Sequence, residues 1–350
     1  MKLPIFTGAW GNCHIQGIAV DLKKGYIYYS FTTKLIKATL DGEVVGSLDG
    51  LVGHLGCLAF NEADGCVYGS LEYKNDIIGR DIQGSIGTSA VFADAFYIAR
   101  FDVDRIDKMD IPAANNDIMR CIYLRDVVAD YTATIPTEDG EIAHRYGCSG
   151  IDGVTFAPLA GKSEADGMYL YVSYGVCSDL SRKDNDHQVL LCYDVSGWDA
   201  YAAPLDQSAM HTRGPEEPMH KFFVYTGNTT YGVQNLEYDR HTNSIFMAVY
   251  RGKKPNFPNY DLFAIDLSRP ADTEPLDGLC EAGERLFLQP MGECDNATGI
   301  CGWYFPYGST GMFSFGDGRW LFSENRKIEA GYCSDICLYE WDGKHPFVKL

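Results

Sequence analysis

The residues whose types and spacing come nearest to chemistry are two histidines. His14 and His54 each stand six residues before the last apolar residue of a short strand-like segment, at 17–20 and 57–60. Imidazole titrates near neutral pH and ligates metals. Two imidazoles presented side by side by adjacent units would make an acid/base centre or part of a divalent-metal site. Gln16, Asp152 and Gln234 share one position ahead of three such segments, with Tyr231 beside Gln234 and Tyr307 ahead of the last segment. That shared position suits ligand contact, and equally a polar plug with ordered water.

A second group follows the next segment of each unit: Glu72 and Tyr73, Tyr174, Tyr250 and Arg251, Glu324 and Arg326. Glu72 and Glu324 are the carboxylates with the right chemistry for general acid or base. Arg251 and Arg326, with Lys253, Lys254 and Lys327, form a cationic group in a chain whose net charge is −19. Such a group would attract an anionic ligand, a carboxylate or a phosphate. Tyr73, Tyr174, Tyr231 and Tyr307 offer rings for stacking on a sugar, although packing is the commoner use of such rings. A phosphate-cradling glycine loop, a Gly-x-Ser-x-Gly elbow and a His-Glu-x-x-His pair are all missing.

These residues need a scaffold, and the scaffold is legible as a repeat. The first segment of each unit reads Gly-Ile-Ala-Val at 17–20, Cys-Leu-Ala-Phe at 57–60, Gly-Val-Thr-Phe at 153–156, Asn-Leu-Glu-Tyr at 235–238 and Gly-Met-Phe-Ser-Phe at 311–315. A turn rich in Asp, Asn and Gly follows, then a second apolar segment, such as Tyr-Ile-Tyr-Tyr at 26–29 or Trp-Leu-Phe-Ser at 320–323. A third segment ends each time on an acidic residue: Asp41, Asp102, Asp194, Asp266 and Glu340. A fourth can be placed beyond it. Helical periodicity is weak throughout, and residues 104–109 amount to one turn of helix at most.

Short strands with Asp/Gly turns suit several all-β folds, but a complete four-strand unit repeated five times predicts a five-bladed β-propeller of four-stranded antiparallel blades. The units fall at about 9–50, 51–130, 147–226, 231–290 and 307–350, in one domain. Residues 2–8 match 221–227, an outer strand leading into a new unit, so a terminal strand closes the ring; residues 345–350 compete for that place. The pattern resembles propellers of the NHL and gluconolactonase type. The resemblance covers most of the chain but implies only the fold, because no catalytic motif of those families is present.

Composition narrows the function. The negative charge excludes nucleic acid and anionic membrane as partners, and no apolar run nears the roughly 20 residues that span a bilayer. Twelve scattered cysteines, several within apolar strands, read as thiols of a reduced cytoplasmic protein. Long segments at 71–94, 175–187, 250–259 and 323–334 all fall between second and third strands, and 124–152 and 288–310 between units. Antiparallel alternation places all six on one face, so that face carries the function. The reading is an enzyme acting on an anionic carbohydrate or small polar metabolite at the channel mouth, by hydrolysis, elimination or isomerisation. The alternative is a non-catalytic propeller that binds a protein or ligand on the same face.

Overall fold

A computed structural model describes every residue except 1, 12, 86, 88–92, 138, 139 and 280. Five antiparallel sheets, one per repeat, make the chain a five-bladed β-propeller. The inner strands are Gly17–Asp21, His54–Asn61, Cys148–Ala157, Thr230–Asp239 and Met312–Ser314. Each is followed by its antiparallel neighbour, across a tight turn except in the third blade, where residues 158–168 intervene: Tyr26–Ser30, Cys66–Tyr73, Tyr169–Val176, Ser244–Tyr250 and Arg319–Ile328.

The turns show why Asp and Asn recur there. Asp21 Oδ1 accepts the Lys24 N–H at 2.9 Å, Asn61 Oδ1 accepts that of Ala63 at 3.1 Å, and Asp239 Oδ2 accepts that of Thr242 at 2.9 Å. Gly25 and Gly65 end two of these turns at φ of 75° and 70°, which a residue with a Cβ adopts only at a cost.

A register shift interrupts three inner strands at the same place, between Leu55 and Leu58, Ile151 and Val154, and Val233 and Asn235. Such bulges re-aim the side chains beside them. A serine in the second strand lies against each of four of these inner-strand sites. Ser30 Oγ donates to the Gly56 carbonyl at 2.6 Å, Ser70 to that of Asp152 at 2.6 Å, and Ser173 to those of Gly153 at 3.1 Å and Val233 at 3.4 Å. The bonds to Gly56, Asp152 and Val233 each tie a blade to the next, while that to Gly153 stays within the third. Ser323 donates to Thr310 within its own blade, at 2.8 Å. The fourth blade has Ala248 there, and Asn235 Nδ2 donates instead to the carbonyls of Gln16 and Ser309.

The outer edges vary more. In the fourth blade the position beyond Leu262–Asp266 is filled by single bridges to Leu288 and Trp303 rather than by a strand. The hairpin of Asp272–Pro275 and Ala282–Leu286 joins the third blade instead, in parallel with His220–Tyr225. The last blade takes both chain ends. Ile5 and Phe6 pair with Ile336 and Asp335, and Phe347–Lys349 pairs with residues 339–341 of the same strand, Gly331–Trp341.

Several expectations need correction. Residues 323–334 are not a loop; Arg319–Ile328 and Gly331–Trp341 run through them as a long hairpin. Two helices, Ile77–Ser85 and Arg125–Thr132, occupy segments read as irregular. The second buries Val127, Asp130 and Tyr131, a narrow three-residue face. The thiol expectation fails at Cys294 and Cys301, which form a disulfide; Cys57, Cys192 and Cys337 are buried thiols. No described helix is long and apolar enough to cross a membrane.

Candidate functional site

Strand bulges and blade order gather one group of polar side chains at the loop-side end of the inner strands. Its centre is Glu72, paired in the ladder with His54. Lys74 Nζ lies 2.6 Å from Glu72 Oε1 and donates to the Ser149 carbonyl at 2.8 Å, while Glu72 Oε2 accepts the Ile151 N–H at 3.1 Å. His54 Nδ1 approaches Glu72 Oε1 to 3.4 Å without the alignment of a hydrogen bond. Gly150 carries no side chain because a Cβ there would sit 2.1 Å from Glu72 Oε2.

Asp152 joins this group from the third blade. Its Oδ1 lies against Gly56, where a Cβ would come within 2.1 Å, and has no hydrogen-bond partner although it is buried. Burial, with help from the Glu72 charge and against that of His54, pushes its carboxyl up to about 7. For Glu72, burial is outweighed by the charges of Lys74 and His54, which hold it below the ordinary carboxylate value. For His54, burial is outweighed by Glu72 and Asp152, which raise it. Thus two carboxylates on one axis are driven apart, the arrangement that separates an ionised group from a proton carrier. A gap of about 10 Å³, room for about one water, adjoins His54, Glu72, Lys74 and Gln83.

His14 stands close enough for the His54 charge to act on it; burial first, then that charge, lowers its titration, and its Nδ1 lies 2.7 Å from the Ile15 carbonyl. His14 lies edge-on to Tyr332, and His54 stands opposite Glu72. The two histidines do not fit a metal site. Among the described residues no group of three His, Cys, Asp or Glu side chains is placed to hold an ion, and the Lys74 ammonium takes the place beside Glu72 that a cation would need.

The remaining residues divide. Gln16 donates to Thr32 Oγ1 at 3.2 Å and Gln234 to the Tyr231 carbonyl at 3.2 Å, both nearly buried at the ends of their inner strands. Tyr231 is exposed, edge-on to Tyr250. The others turn elsewhere. Tyr73 is buried and donates to Gln207, and Tyr174 is buried and donates to Asp130 at 2.7 Å. Tyr307 packs on Phe305 and Tyr339. Glu324 bonds Tyr339 and Lys349 in the outer part of the last blade, apart from Glu72. Arg251 is held by Asp261 at 2.6 Å and lies over Tyr304, and Arg326 is held by Asp335 at 2.7 Å and lies over Phe6. Lys254 is buried against Asp186. Arg251, Arg326 and Lys254 are thus held in separate pairs, and Lys327 lies over Tyr332.

A second feature lies at the other end of the channel. A cavity of about 950 Å³ opens among the first-to-second strand turns, lined by the ends of all five inner strands. Glu237 lines it, with Oε1 accepting the Ser314 N–H at 2.9 Å. Burial, and then the Asp239 charge, pushes this carboxyl up to about 8. The sequence reading passed over it and over Lys74. Glu237 had a signal: aligned on the final residue, the other four units carry Ala19, Ala59, Thr155 and Ser314 at its position.

No protein-family model matches the chain, and no curated protein does. Solved structures do resemble it. A GH43 β-1,3-galactosidase with galactodeoxynojirimycin is 11% identical, at a TM-score of 0.44 over 99% of this chain and 97% of that one. A gluconolactonase from Xanthomonas campestris is 9% identical, at 0.40 over 97% and 76%. The Dos1 propeller is 10% identical, at 0.32 over 95% and 79%.

Proposed function

We propose that the protein is an enzyme that moves protons on a saccharide or small polar metabolite at the loop-side channel mouth, in a hydrolysis, elimination or isomerisation. The observation that carries this reading is Asp152, a carboxyl held near neutrality with one oxygen unpartnered, beside a histidine and an ion pair. Asp152 is the proton carrier and His54 its partner, while Glu72 and Lys74 fix the local charge. The water-sized gap beside His54 and Glu72 favours hydrolysis among the three reactions. An anionic ligand has less support, because Arg251 and Arg326 are already engaged by carboxylates, so a ligand rich in hydroxyl groups suits the site better.

Turnover of a panel of lactones, glycosides and uronates tests this. Asp152→Asn is expected to lower kcat about 10²- to 10⁴-fold and to remove the pH inflection near 7. Undiminished turnover in that variant overturns the proposal. The second reading, a non-catalytic binding propeller, draws on the closeness of the cluster: Glu72, Lys74 and Asp152 are each buried, with little room between them. Retained ligand binding without any turnover favours it. A cytoplasmic setting was read from the thiols, and the Cys294–Cys301 bridge weighs against it. Peptide mapping of alkylated, unreduced protein decides, with a free pair returning the cytoplasmic reading.

A further inference from the structure

The cavity at the turn-side mouth is unlike the cluster at the other end. It has the volume of a small-molecule site, and it combines an apolar wall with an acidic floor. The wall is aromatic: Phe60, Phe156, Tyr238, Phe313 and Phe315, contributed by four blades. The floor carries Glu237 and Asp21. Asp21 is 2% exposed, and its Oδ2 has no hydrogen-bond partner, since Oδ1 alone takes the Lys24 N–H. The cations at the rim are spoken for in part: Lys24 lies 2.6 Å from Asp104, and Arg240 lies 3.2 Å from Glu164.

A carboxylate flanked by aromatic faces is a receptor for an organic cation, because ring faces and carboxylate both attract positive charge. An anion would meet Asp21 with its unpartnered oxygen, although Lys23, Lys24 and Arg240 stand at the rim, and a neutral ring would leave that oxygen unsatisfied. We propose that the turn-side cavity binds an ammonium-bearing small molecule, with Glu237 as its counter-charge and Asp21 as a second acceptor.

The groups facing Glu237 define how binding couples to pH. Asp239, on its own strand, adds negative charge. Ser314 in the last blade presents its backbone N–H, while the Thr155 hydroxyl in the third accepts the N–H of the adjacent Tyr238. Cys57, on the second blade's inner strand, is pushed up to about 12, burial being the main cause, and stays neutral. Empty, the carboxyl therefore keeps its proton at neutral pH. An ammonium binds the ionised form, so that proton passes to the buffer.

Benzylamine, benzyl alcohol and benzoate, of one ring size and three charges, serve as probes. Titration calorimetry at pH 7 in buffers of different ionisation heat is expected to show benzylamine binding with release of about 0.9 proton, from a carboxyl near 8. Its affinity is expected to rise about tenfold per pH unit from 6 to 8 and then level. Glu237→Gln, which mimics the neutral carboxyl and should fold, is expected to weaken benzylamine at least tenfold and to abolish proton release. Asp21→Asn keeps the turn bond and is expected to weaken it severalfold. Benzoate or benzyl alcohol binding as tightly as benzylamine, no binding of benzylamine, or proton release that persists in Glu237→Gln overturns the proposal.

Discussion

Asp152 and Glu237 share an unusual condition for carboxyls, each holding a proton near neutrality, at about 7 and about 8. In the unfolded chain such groups ionise near pH 4. Between those limits the folded protein carries more protons than the unfolded one, so its stability falls as pH rises from about 4 to about 8. His54, also raised, acts in the same direction, its contribution being lost as pH climbs through its folded value. Glu72 opposes them: its stabilisation is present above the ordinary carboxylate value and lost on acidification. The melting temperature of Asp152→Asn relative to wild type is expected to rise from pH 5 to pH 8. Thermal melts across that range check this, and a constant offset between the two proteins refutes it. The sequence exposed His54, Glu72 and Asp152 because they sit at repeat positions. It hid Lys74, because the second strand runs to Tyr73 rather than stopping at Ser70, and the residue just beyond it looked like loop. The same extra length sends the Tyr73 ring into the blade core.

At the level of strands, the serines of the second strands do what a shared core cannot do between separate sheets. Ser30, Ser70 and Ser173 each fix the sliding of one blade against its neighbour through a directional bond to a bulged carbonyl. Ser70→Ala breaks the bond to the Asp152 carbonyl, and a buried acceptor left unsatisfied costs about 1–3 kcal/mol. Denaturant unfolding is expected to show that loss, and a change under about 0.5 kcal/mol, the range of an ordinary surface substitution, refutes the linking role. Ser70 and Ser323 were visible as the ends of matched segments, while Ser30 and Ser173 fall one residue beyond theirs. The helix Arg125–Thr132 was not visible, since its buried face is only Val127, Asp130 and Tyr131, and Asp130 is kept inside by Tyr174 and Lys221 from other parts of the chain. Partners that far off leave no local period. The hairpin across 323–334 was hidden for a related reason: its polar ladder, from Glu324 to Lys327, lacks the apolar alternation that marks a half-buried strand.

Across the molecule, the ring depends on an edge supplied by both ends of the chain. Ile5 is 1% exposed and packs in the core shared by the first and last blades. Ile5→Ala is expected to cost about 2–4 kcal/mol and to lower the whole unfolding transition rather than release a terminal segment. A separate early transition for the first few residues would show that closure is local. The count of blades was legible because each unit repeats its apolar order. The blade edges were less so, because the Asp272–Leu286 hairpin leaves its own unit to extend the blade before it.

The two end strands run the same way along one edge of Gly331–Trp341. Lys349 faces Tyr339, the Leu350 N–H reaches the Leu338 carbonyl at 3.0 Å, and Ile5 then faces Ile336. In register one position, that of Pro4, separates Leu350 from Ile5, so the two line up as one broken strand. Joining Leu350 to Pro4, with residues 1–3 omitted, would splice an existing element, and new termini could be cut into a tight turn such as that at 61–65 with every blade intact.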